Sequence, residues 1–138
     1  MKSKKYLTLA DARLIAASCE AEALRHNWAV SIAIVDDGGH LVWLQRLDSA
    51  PLTSMDIAAG KARTAALGRR PSKAYEEVVA ANRNAFLSVP GGLTMLEGGE
   101  PIMVDGECVG AVGVSGVKSN EDAQIARFGI GEFIGRQP

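Results

Sequence analysis

The 138-residue chain is short of the side chains that most directly announce a chemistry: it has two cysteines and two histidines, and aromatic residues make up only 5%. Cys19 and Cys108 cannot build the staple framework of a small secreted domain, so a reduced, cytoplasmic protein is expected. With His26 and His40 as the only imidazoles, a zinc cage would have to recruit distant carboxylates and thiols. An excess of one charge is also missing, since 15 Lys+Arg stand against 16 Asp+Glu for a net charge of -1. No basic field exists to draw in a phosphate backbone or an anionic bilayer, which argues against nucleic-acid and membrane partners. No segment reaches the roughly 18 consecutive apolar residues of a membrane span. "LIAASC" at 14–19 has the look of a lipoprotein processing site, but Thr8, Asp11 and Arg13 interrupt any apolar signal core. There is no G-x-S-x-G elbow, no H-E-x-x-H and no C-x-x-C.

What is present suits one folded domain over 1–138, with 47% hydrophobic and 22% charged residues. Residues 8–27 read as an alanine-rich helix, with Thr8 as cap and Asp11 completing a capping box. "WAVSIAIVDDGGHLVWLQRL" reads as two strands joined by a tight turn at Asp37-Gly38-Gly39. On the first strand Trp28, Val30, Ile32 and Ile34 share one face and Ala29, Ser31, Ala33 and Val35 the other, so both faces are expected to be covered. A helix over 53–68 capped by Thr53 or Ser54, and another from Ser72 to about Asn84, come next. "SVPGGLTMLEGGEP" follows as a loop, its four glycines and two prolines excluding a regular element. "PIMV", the turn at 105–107 and "CVGAVGVSG" form a second hairpin, and a capping box from Ser119 to Asp122 opens a last helix to about Gly135. This order predicts an α+β domain with an antiparallel sheet flanked by helices.

The stretch "GAVGVSG" at 110–116 spends bulk that a strand normally needs. Val109, Ala111, Gly113 and Ser115 leave one small face, onto which the first or the last helix is expected to pack closely. Its G-x-x-G-x-x-G spacing is neither the dinucleotide fingerprint nor the phosphate loop.

Among the polar residues, Lys61 follows Gly60 in an alanine-packed helix, where it is either a snorkelling surface lysine or a cation or base for an acidic ligand. Arg46 and Asp48 lie two apart at a strand end. Glu97 and Glu100 flank Gly98-Gly99 in the long loop, and His40 directly follows the hairpin turn, the position of an exposed residue.

"GGHLVWLQRLDSAPLTSMDIAAGKARTAA" followed by "PGGLTMLEGGEPIMVDGECVGAVGVSG" resembles the GlcG/HbpS-like haem-degrading domain family, which includes the carboxy-terminal domain of PduO. The likeness runs from Leu9 to Phe133 and includes His40, Arg46, Asp56, Lys61, Gly91, Gly92 and Ser115, which it implies as ligand-binding residues. After Gly116, "VKSNEDAQIARFGIGEF" departs from the family's more Gly- and Ala-rich opening of the last helix. The resemblance implies a profilin-like, five-stranded antiparallel sheet flanked by helices, and a homo-oligomer. It also implies a small-molecule ligand, with haem as the family's cofactor and His40, Cys108 and Met95 as the side chains able to ligate iron. The ligand is expected between the 86–100 loop, Lys61's helix and the glycine-rich strand. Two alternatives stand beside a binding protein: an enzyme on a small organic acid using Lys61 and Glu97, and a structural accessory subunit.

Overall fold

Alternation of side chains decides how this chain is layered. A computed structural model describes residues 1–138 and gives α1 (Leu9–Arg25), β1 (Ser31–Asp36), β2 (Leu41–Arg46), α2 (Ser54–Gly68), α3 (Lys73–Ala80), a 3-10 turn (Asn84–Ser88), β3 (Gly99–Val104), β4 (Glu107–Ser115) and α4 (Ser119–Gly135). The two hairpins join through β1 and β4 into one antiparallel sheet of order β2-β1-β4-β3. Along β1, Ile32 and Ile34 point into the larger core shared with α1 and α4, whereas Ala33 and Val35 point into a smaller, alanine-built core under α2. Both faces are covered, as the pattern predicts.

The sheet has four strands, not the five that the family resemblance implies. The one long segment left between elements, 89–98, carries Pro90 and places Gly91, Gly92 and Gly98 at φ of +112°, +65° and +132°, which a ladder cannot use.

Packing on the glycine-rich strand differs from expectation in its partner. The helix that sits on Gly113 is α2, not α1 or α4: a Cβ added at Gly113 would lie 2.0 Å from the Ala58 carbonyl oxygen and 2.9 Å from the Ala62 Cβ. α1 and α4 instead pack on each other across the opposite face, so closely that a Cβ at Gly129 would lie 2.2 Å from Cys19 Sγ. Burial there pushes the Cys19 thiol up to about 12. Val109 leaves the small face as well. An irregularity in the β3–β4 register, where Ile102 pairs with Gly110 but Met103 with Cys108, turns it into the larger core.

Three helix starts are built differently from the caps read in the sequence. Thr8 and Asp11 form the expected reciprocal box. Ser54 and Thr53 do not cap α2; the Ser54 hydroxyl pairs with Ser31 Oγ at 2.7 Å, tying the helix to β1. Ser72 likewise spends its hydroxyl on the Gly99 amide, 2.8 Å away, and so pins the start of α3 to β3. At α4 it is Glu121 that reaches back to the Lys118 amide, and Asp122 is released for another purpose. No helix is long and apolar enough to cross a membrane.

Candidate functional site

Asp122's other purpose is Lys61. The lysine lies on the face of α2 that meets the sheet, its side chain 3% exposed, with Nζ 3.0 Å from both Asp122 Oδ2 and the Val114 carbonyl oxygen. Asp122 Oδ1 accepts from the Val117 amide at 3.2 Å, so each charged group has a second polar partner. Burial raises the Asp122 carboxyl above its ordinary range, against the pull of the Lys61 charge. The 89–98 loop lies directly over this pair, since a Cβ at Gly98 would come within 2.7 Å of Nζ. Lys61 is therefore neither a snorkelling surface lysine nor a side chain open to solvent. The volume expected to hold a ligand between the loop, α2 and β4 is filled by backbone: a Cβ at Gly99 would lie 2.1 Å from the Lys61 carbonyl oxygen. No surface groove is lined by Lys61 or Glu97.

The two loop glutamates find separate cations. Glu97 lies 4.0 Å from Lys73 Nζ. Glu100 falls inside β3, accepts from Arg127 Nη1 at 3.0 Å, and is raised above the usual carboxyl range by burial, Arg127 opposing. No three acidic, histidine or cysteine side chains stand close enough together to hold a metal ion.

The largest groove lies at the other end of the sheet, at the first hairpin turn, with a volume of about 550 Å³. Asp36 organises it: Oδ1 accepts from the Gly38 and His40 amides, both at 2.9 Å, and faces His40 Nδ1 at 3.3 Å. The ring is 77% exposed, with Nδ1 on the side of this carboxylate. Gly38 leaves the ring its room, since a Cβ there would stand 3.1 Å from the imidazole. Leu67 supplies the apolar wall, and Lys4 and Arg69 supply cations. Arg69 arrives there because it ends α2 in the left-handed conformation, at φ +55°. Both cations converge on Asp37, with Lys4 Nζ at 2.7 Å, and that hydrogen bond holds the Asp37 carboxyl below the usual range.

The structure sorts the remaining sequence-read residues into two groups. Gly91 and Gly92 belong with His40, because Arg63 spans the gap: its Nε donates to the Gly91 carbonyl at 2.7 Å while its stem lies against Gly39. Arg46 and Ser115 lie at the opposite end, aligned in neighbouring strands through Ser31, with exposed Asp56 in the first turn of α2. His40 and Arg46 are six strand residues apart, about 20 Å at ~3.3 Å per residue, too far for one compact ligand to touch both. Of the three side chains able to ligate iron, Met95 is buried and Cys108 Sγ donates to the Gly110 carbonyl, leaving His40 as the one that lines a groove. Lys4, Arg63, Leu67 and Arg69 are absent from the sequence reading. Asp36 did have a legible signal, an aspartate two residues before a glycine in a turn.

Sequence and fold both have counterparts among known proteins. A family model described as "Haem degrading protein HbpS-like" matches residues 7–131. Protein GlcG of Escherichia coli K12 is 52% identical over 115 residues, covering 83% of this chain and 85% of GlcG. A crystal structure of a Streptomyces reticuli HbpS double mutant superposes with a TM-score of 0.87 at 30% identity, over 96% of this chain and 90% of the other. The PduOC:heme complex superposes with a TM-score of 0.85 at 25% identity, over 92% and 94%.

Proposed function

Because the chain belongs to the HbpS-like family of haem-degrading proteins, we propose that it is a small-molecule-binding protein whose ligand is haem, held in the groove beside His40. The observation that carries this reading is that, of the three iron ligands the family resemblance implies, His40 is the one that lines a groove, its ring 77% exposed and its Nδ1 3.3 Å from the Asp36 carboxylate.

The groove offers a ligand for iron and cations for propionates, with Leu67 as its one apolar side chain. His40 Nε2 would hold the iron, and Leu67 would meet the porphyrin edge. Lys4 and Arg69 balance the carboxylates of Asp36 and Asp37 and are the groups that would meet a propionate. Bound there, haem would supply a redox-active iron, and the Asp36 carboxylate would lie on the Nδ1 side of the His40 ring.

Haemin titration followed at the Soret band tests the reading. The unaltered protein is expected to shift the band at micromolar concentration, and His40→Ala to abolish the shift while keeping its unfolding free energy within about 0.5 kcal/mol, since the side chain is exposed. An undiminished shift in His40→Ala would remove His40 from the site.

A homo-oligomer belongs to the same reading. The outer edge of β3 is guarded by Pro101, which has no amide proton, but the outer edge of β2 is unpaired, with Leu41 54% exposed and Leu67 42% exposed nearby. Light scattering across a concentration series is expected to show self-association that Leu41→Lys weakens; a monomer at every concentration would contradict it.

A further inference from the structure

A second groove, on the opposite face of the first hairpin from α2, has a different chemistry from the one beside His40. It opens where α1 ends, has a volume of about 360 Å³, and falls in the size range of small-molecule sites. Trp28 forms one wall, half-buried against the core and fixed by His26, whose ring stacks on it at 4.3 Å and 17°. Leu24 and Leu47 make the apolar sides. The rim carries Glu20 and Asp48, and neither lysine nor arginine lines the groove.

Three features of this groove favour positive charge, and each arises separately. Trp28 brings an indole to the wall, a ring that attracts cations over any face His26 does not cover. Leu24 and Asn27 bring the groove to the carboxyl end of a 17-residue helix, the negative end of its dipole. Neither Glu20 nor Asp48 forms an ion pair within the chain, whereas Asp37, Glu97, Glu100 and Asp122 each have a lysine or arginine within 4.0 Å. Glu20 is held at the rim by Gln45 Nε2 at 3.3 Å. An anion would be repelled here, and an uncharged apolar ligand would leave both carboxylates unused. We propose that this groove binds a small organic ammonium ion, its alkyl groups against Trp28, Leu24 and Leu47 and its charge facing Glu20 and Asp48.

The probe is choline, with its uncharged isostere, in which carbon replaces the nitrogen, as the control. Heteronuclear NMR of the full chain follows the Trp28 indole N–H. Choline is expected to shift that resonance saturably and to bind roughly tenfold more tightly than the isostere. A Glu20→Gln, Asp48→Asn double variant alters only rim groups. It is expected to lose about that tenfold for choline and nothing for the isostere, whereas His40→Ala leaves both unchanged. Equal binding of choline and isostere, a shift that never saturates, or full choline affinity in the rim variant would each overturn the proposal. None of these outcomes bears on haem, because the two grooves share no lining residue.

Discussion

Lys61→Ala is expected to destabilise the fold by about 3–5 kcal/mol, the loss that follows when one partner of a buried ion pair is removed and the other is stranded. Asp122 is 2% exposed, so water cannot replace the ammonium without opening the contact between α2, β4 and α4. Val114 loses a hydrogen bond from its carbonyl in the same step. The pair itself is worth far less than either single deletion suggests, because two charges were taken out of water to make it. A Lys61→Met, Asp122→Leu double variant should therefore recover most of the loss, and Asp122→Asn should fall between the two. Urea unfolding of the four proteins gives the comparison. A loss below about 1 kcal/mol for Lys61→Ala would mean the pair behaves as an exposed one and is reached by solvent.

Gly113→Val is expected to be comparably damaging for a steric reason. The added Cβ would meet the Ala58 carbonyl oxygen at 2.0 Å and the Ala62 amide nitrogen at 2.5 Å, and both are backbone atoms of a packed helix that cannot rotate away. Overpacking typically costs ~1–3 kcal/mol and occasionally more. Here the whole of α2 must lift from the sheet, which puts the expected loss at about 3 kcal/mol or above. Gly131→Ala is the control, since a Cβ there meets nothing within 4 Å and alanine is favoured over glycine in a helix by ~1 kcal/mol. The first substitution should lower the unfolding midpoint sharply and the second should raise it. If Gly113→Val unfolded at the same denaturant concentration as the parent, α2 would not rest on that strand.

These two positions also mark where sequence reading succeeds and stops. The hairpins were legible because strand alternation and glycine turns are local signals, and the small face of β4 was legible for the same reason. The helix that covers it was not: α1 and α2 are both rich in alanine, and only the tertiary alignment of Gly113 with Ala58 and Ala62 distinguishes them. Lys61 shows the same limit more strongly. Its partner lies 61 residues away, and Asp122 in the sequence looks like part of a capping box, so neither residue reveals the other. Val109 changed face because a register irregularity is set by pairing with β3, not by its own neighbours. At the candidate site, His40's exposure followed from its place after the turn, whereas Lys4 and Arg69 reach the groove from distant segments that no spacing rule connects to it.

The central claim is that the carboxylate-backed imidazole of His40 receives iron on the open face of the first hairpin. A crystal structure of the protein loaded with haemin tests it most directly. The account predicts iron bonded to His40 Nε2, with propionates toward Lys4 and Arg69. Iron bonded to Met95, Cys108 or His26, or a porphyrin seated away from the first hairpin turn, would contradict it.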